Sequence, residues 1–127
     1  MKNLKLDIEK LNEIYNFTFD PTDLLPLLEA ATPREYSKKE FIFERGSTEN
    51  RIVFVVEGLI RVFHLDEIEV DKTIAIVPEY HTVTNENYIS FGEPSKFYYQ
   101  AYERTKTLSL SFEELQAIIG KNENLEK

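Results

Sequence analysis

Cysteine is absent from the 127 residues. That excludes disulfides, thiolate metal sites and a cysteine nucleophile, and a reducing cytoplasm is the expected setting. Basic residues are in deficit, with 15 Lys and Arg against 23 Asp and Glu and a formal net charge of -8. No Lys/Arg block stands out, so bare nucleic acid is a poor direct partner, because phosphate binding needs clustered positive charge. No apolar run approaches the roughly 20 residues that span a bilayer. The opening MKNLKLDIEK lacks the apolar centre of a signal peptide, so a cytoplasmic protein with no membrane partner is expected.

The only histidines, His64 and His81, stand far apart and form no H-x-H pattern. A metal site normally needs three or more ligands at organised spacing, so none is expected. No G-x-S-x-G, H-E-x-x-H or phosphate-cradling glycine loop occurs. The carboxylates Glu67, Glu69 and Asp71 lie on or beside one segment of alternating polarity, where an outward charged face is their usual meaning. No catalytic residue is assigned, and neither an enzyme nor a cofactor is expected.

What is present is β pattern. The chain is 42% hydrophobic and of a length that forms one domain with a real core. Between Phe41 and Leu65, three runs rich in Val, Ile and Phe are separated by Arg45-Gly46-Ser47-Thr48-Glu49-Asn50 and by Glu57-Gly58. Such runs read as strands joined by tight turns, with Gly46 and Gly58 supplying positive φ. Ile68, Val70, Ile74 and Ile76 alternate with polar residues, which predicts a half-buried strand ended by Pro78. Residues 84–88 form a short helix or turn. Phe97, Tyr99 and Ala101 share one face of a further strand, with Tyr98 and Tyr102 facing out. Leu108 and Leu110 share a face of the strand over residues 105–110.

Helices flank the strands. Leu4, Ile8, Leu11 and Tyr15, with Ile14 beside them, predict a helix over residues 3–17. A second begins near Thr22 or Asp23, both good N-caps. It buries Leu24, Leu27 and Leu28, keeps Pro26 within its first turn and ends near Ala31. Ser111-Phe112-Glu113-Glu114 is a capping box opening a last helix with Leu115, Ile118 and Ile119 on its buried face and Gly120 as C-cap. Two helices, about eight short antiparallel strands and a helix make an α+β, mostly β chain whose strands form a sandwich or roll.

Three segments carry a resemblance. They are Lys39 to Gly46, Ile52 to Phe63, and Phe97 to Leu110 with the following Ser111-Phe112-Glu113-Glu114-Leu115. In this order they resemble the sensory domain of bacterial Crp/Fnr-type transcription regulators over residues 22–120. The resemblance implies an antiparallel jelly roll (double-stranded β-helix) of the cyclic-nucleotide-binding type, one domain over 1–127 with helical N-terminus 1–31, roll 34–110 and last helix 112–120. It also implies a small-molecule effector, a homodimer in the full-length regulator, and DNA contact only through a helix-turn-helix that this chain lacks. On that reading the chain is a regulator truncated to its sensor. A ligand-free interaction module and a cupin-type metalloenzyme are the alternatives.

In cyclic-nucleotide-binding relatives an F-G-E opens the phosphate-binding cassette, whose later arginine and small polar residue hold the cyclic phosphate. Phe91-Gly92-Glu93 matches the opening. The arginine position falls on Ser95 and the small polar one on Lys96, and the intervening helix is too short. Tight binding of cyclic AMP or cyclic GMP is therefore not expected. Glu93, Ser95, Lys96 and Tyr99 are the candidate pocket residues.

Overall fold

The computed structural model describes residues 6–16 and 21–120. Two helices, α1 (Ile8–Tyr15) and α2 (Pro21–Ala30), precede β1 (Thr32–Tyr36), β2 (Phe41–Phe43), β3 (Arg51–Glu57), β4 (Ile60–Leu65), β5 (Asp71–Val77) and β6 (Thr82–Thr84). Helix α3 (Glu86–Phe91) interrupts the strands before β7 (Tyr98–Ala101), β8 (Thr105–Ser111) and helix α4 (Phe112–Ile119). The strands form two four-stranded antiparallel sheets, ordered β1-β8-β3-β6 and β2-β7-β4-β5. Neighbours in space are mostly distant in sequence, which is the winding of a jelly roll.

The side chains that alternate inward explain the closure. Val53 and Val55 of β3 and Tyr36 of β1 meet Phe43, Ile60, Val62, Tyr99 and Ala101 of the facing sheet in one buried cluster. Phe43 and Tyr99 pack edge to face, their ring centroids 5.2 Å apart. Leu108 of β8 and Phe54 of β3 alternate to the opposite face and look towards the helices. There Leu11, Leu24 and Tyr80 form a second, smaller cluster.

Both helix ends of the N-terminal unit differ from the pattern-based expectation. Asp7 accepts from the Lys10 N–H at 3.1 Å, so α1 starts at Ile8, and Asn16 ends it with φ of 50°. The expected helical positions 3–5 and 17, Leu4 among them, lie outside the described residues. Helix α2 begins at Pro21, which puts Thr22 and Asp23 inside the first turn and Pro26 in the second. Pro26 there removes one helical hydrogen bond. Burial of Leu24, with Leu27 and Leu28 packed beside it, overrides that local penalty. The capping box of α4 is present in both directions, Ser111 N–H to Glu114 at 2.9 Å and Glu114 N–H to Ser111 Oγ at 3.0 Å. Leu115, Ile118 and Ile119 are half-buried, and Gly120 caps with right-handed rather than left-handed geometry.

The expected half-buried strand over residues 68–76 is the main correction. Ile68 and Val70 lie in a turn, where their N–H groups donate to the Asp66 carboxylate at 3.0 and 2.8 Å. The strand begins only at Asp71, and Ile68, Val70, Ile74 and Ile76 are exposed, Ile68 by 79%. Two features account for this. β5 is the outer strand of its sheet, and the β4–β5 register shifts between Val62 and Phe63, so regular alternation fails beside it. Val77 alone of this strand packs on the core cluster.

Gly58, at φ of 109°, turns β3 into β4 against β8. A Cβ there would lie 2.6 Å from Thr105 Oγ1 and 2.7 Å from the Arg104 carbonyl oxygen. Gly46, at φ of 92°, has open space around it. Gly58→Ala therefore carries both backbone strain and a clash, for an expected loss of about 3 kcal/mol. Gly46→Ala carries the strain alone, for about 1 kcal/mol. Urea denaturation of the two variants checks the ordering; equal losses contradict it.

Candidate functional site

The segment from Asn85 to Lys96 crosses one end of the roll. Phe91-Gly92-Glu93 lies at the C-terminus of α3, where Gly92 is a left-handed cap at φ of 69°. It follows the short helix instead of leading into one. Glu86, the first residue of α3 after β6, accepts from Ser90 Oγ at 3.0 Å and from Thr84 Oγ1 at 3.3 Å.

The four candidate residues have separate places. Glu93 and Lys96 are exposed, and their backbone N–H groups both donate to Asn87, at its carbonyl (3.3 Å) and its Oδ1 (3.0 Å). Ser95 is only 3% exposed. Its hydroxyl donates to the Phe97 carbonyl at 2.8 Å and accepts from the Phe97 N–H at 3.1 Å. Its backbone pairs with the β2–β3 loop, Ser95 N–H to Ser47 O at 2.9 Å and Gly46 N–H to Ser95 O at 2.8 Å. Ser95 thus fastens the segment to Gly46-Ser47. Tyr99 is buried in the roll, where burial pushes its phenol above the usual value.

Two residues of this end were not singled out from the sequence. Arg51 continues the inward alternation of Val53 and Val55, the one sequence signal that places it. Its guanidinium lies over the Phe43 ring at 5.1 Å and donates to Tyr36 Oη (3.1 Å), Ile42 O (3.0 Å) and Glu49 Oε1 (2.9 Å). Burial opposes its charge, but the bonds to Tyr36 and Glu49 prevail and hold its pKa above the ordinary value. Asn85 is fully buried. It donates to Ser47 O at 2.8 Å and Glu49 O at 3.1 Å, and its Oδ1 has no protein partner. No motif marks it.

The histidines stay apart in role. His64 packs edge-on to Phe97 at 6.2 Å, and His81 Nδ1 lies 3.1 Å from the Glu79 carbonyl oxygen. Among the described residues no three His, Asp or Glu side chains gather into a metal site, and no helix is long and apolar enough to cross a membrane.

On the opposite side of sheet β1-β8-β3-β6, a cavity of about 330 Å³ lies between that sheet, the N-terminal helices and α4. Helix α1 is tied over the neighbouring turn between β5 and β6. The Asp7 N–H donates to Tyr80 Oη at 2.7 Å, Tyr15 Oη donates to the Tyr80 carbonyl, and Lys10 Nζ meets Glu79 at 2.6 Å. Tyr80 holds φ of 67° to do this, a strained backbone for an aromatic residue. The other Glu79 oxygen accepts from the Gly58 N–H at 3.3 Å, so one carboxylate bridges α1 and the β3–β4 turn.

The family model described as cyclic nucleotide-binding domain matches residues 33–122. The chain belongs to that family. Solved structures with the same fold include the catabolite activator protein of Thermus thermophilus, 21% identical, TM-score 0.71, covering 81% of this chain and 48% of that one. The N-terminal domain of a transcriptional regulator from Streptomyces coelicolor A3(2) is 16% identical, TM-score 0.75, covering 94% of this chain and 84% of that one. The sensor domain of the regulator DNR from Pseudomonas aeruginosa is 16% identical, TM-score 0.72, covering 91% and 75%. The chain spans about half the length of the Thermus protein. No curated protein matches it by sequence.

The Lys10–Glu79 contact sets a pH dependence. The hydrogen bond from Lys10 holds the Glu79 carboxyl below its usual value of 4.5, and the same bond holds Lys10 above 10.5. A lowered carboxyl contributes stability above 4.5 that is lost as pH falls through its folded value, and a raised lysine contributes below 10.5 and loses it on further rise. Glu79→Gln is expected to lower Tm at pH 7 by a small margin, both partners being solvent-accessible. The gap to the parent should close in strong acid. A gap that does not narrow as the pH is lowered through the acid range refutes the electrostatic origin.

Proposed function

We propose that this chain is the effector-sensing domain of a Crp/Fnr-type transcription regulator whose effector is not a cyclic nucleotide. The family match and the roll support the sensing role. The observation that carries the second half is Ser95. By the sequence resemblance it stands at the position of the phosphate-gripping arginine of cyclic-nucleotide-binding relatives, and its hydroxyl is spent on the Phe97 backbone. Lys96 points into solvent. Arg51, the cation inside this end of the roll, is held by Glu49, Tyr36 and the Ile42 carbonyl. A cyclic phosphate entering here would meet no uncommitted cation among these residues, and its desolvation would go uncompensated.

In this reading residues 1–127 are one non-catalytic cytoplasmic domain. Dimerisation falls to a long helix following α4, and DNA contact to a helix-turn-helix beyond it. A ligand works by binding two arrangements of the domain with different affinity. Glu93 and Lys96, at the mouth beside Asn87, are assigned to the rim of the ancestral pocket, and Ser95 and Tyr99 to its closed interior. Isothermal titration with cyclic AMP and cyclic GMP is expected to give no binding heat up to millimolar nucleotide. Micromolar binding of either sinks the proposal.

One observation favours a second reading, a ligand-free interaction module. Ile68, Val70, Ile74 and Ile76 stand exposed together on or beside the outer strand β5. Sedimentation at several concentrations separates the two readings. Concentration-dependent association abolished by Ile74→Ser with Ile76→Ser supports the module.

A further inference from the structure

We propose that the cavity behind sheet β1-β8-β3-β6 is a binding site for an uncharged, largely hydrocarbon molecule of about two fused or linked rings, or an acyl chain of similar bulk. The proposal rests on the sensor reading for what occupancy does, but not for whether binding occurs.

Three observations converge. The first is size. The cavity measures about 330 Å³. Small-molecule sites begin at about 300 Å³, and an apolar void of about 150 Å³ already takes benzene. The space is a half-open pocket between the sheet and the helices, deep enough to receive a ligand of that size.

The second is chemistry. The walls are Leu24 and Leu27 from α2, Ile52 and Phe54 from β3, and Leu108 and Leu110 from β8. None of the described lining residues carries a charge. The hydroxyls at the margin belong to Tyr15 and Thr82, and that of Tyr15 donates to the Tyr80 carbonyl. Water held inside a protein needs two to four polar partners, which a leucine wall does not offer. A charged ligand would be stripped of solvent with no counter-ion. An apolar ligand alone gains by entering.

The third is position. The interior of the roll is filled by Tyr36, Phe43 and Tyr99, all buried. The open volume lies on the other face of the sheet. Leu115 of α4 lines it together with Leu11 of α1. A molecule in the cavity therefore touches the first and last described helices at once. In the sensor reading, that contact biases the seating of α4 and of whatever follows it.

The test uses the purified chain and N-phenyl-1-naphthylamine, an uncharged two-aromatic dye whose fluorescence rises in apolar surroundings. Expected is saturable enhancement at one dye per chain, with a dye-dependent rise in Tm. Ile52→Phe, which adds bulk inside the cavity, should weaken dye binding at least tenfold while raising Tm without dye. Ile76→Ser, on the exposed β5 face, should leave both unchanged. Amide exchange in α4 should slow when dye is bound. Absence of saturable binding overturns the proposal. So does binding lost in Ile76→Ser but kept in Ile52→Phe, which would place the dye on the β5 surface. A Tm that falls in Ile52→Phe with no dye bound to the parent also overturns it, since the volume is then closed by the chain's own side chains. The cyclic nucleotide titration is independent of every one of these outcomes, so failure here leaves the sensor reading standing.

Discussion

Burial of three aromatic rings, Tyr36, Phe43 and Tyr99, between two antiparallel sheets is the constraint on which the rest of the structure depends. The rings fill the interior between the two sheets. They also decide what polar groups can exist beside them. Arg51 points inward where Phe43 offers its face and Tyr36 its hydroxyl, with the Ile42 carbonyl and Glu49 completing its partners. The ring of Tyr99 packs edge to face on Phe43, their centroids 5.2 Å apart. Burying a polar group without such partners costs on the order of 1–3 kcal/mol, so the aromatic centre and the polar rim stand or fall together.

The rim segment is tied down by its own polar contacts. Ser95 spends both its backbone and its hydroxyl on local pairing, and Asn85 ties the same end of the roll to Ser47 and Glu49. Only Asn85 Oδ1 is left over. A single buried acceptor is the kind of position that an internal water occupies, and it marks where polarity in this end of the roll exceeds the partners available.

The strand run from Phe41 to Leu65 was legible because its residues obey one rule at a time. Val53 and Val55 face in, Ile52 and Phe54 face the helices, and Gly58 turns where a side chain would strike Thr105. The capping box at Ser111 was legible for the same reason: it is local chemistry, complete within four residues. Illegible features were those set by partners distant in sequence. Pro26 sits in the second turn of α2 because Leu24 is buried, and nothing within the helix says so. Ile74 and Ile76 alternate like core residues yet face solvent, because strand order left β5 outermost and the shifted register broke the phase. The site was less legible than the fold, because its polar contacts join segments distant in sequence. Phe91-Gly92-Glu93 drew attention as a string, whereas Asn85 and Arg51 matter through where the winding of the chain puts them. The cavity gathers leucines from both ends of the chain, each of which reads as ordinary core on its own element.

Strand β5 is bound to β4 by backbone pairing and by Arg61, which bonds Thr73 Oγ1 at 2.7 Å and pairs with Asp71, while little of the β5 side-chain surface is enclosed. Burial normally polices strand alignment, because a slip by one residue turns every inward group outward. Over Asp66 to Ile76 that policing is absent, since the groups already face outward. Loop insertions, deletions and sequence drift will accordingly be tolerated best in this arm of the roll, and homologues of this chain should differ in length there before they differ anywhere in the opposite sheet.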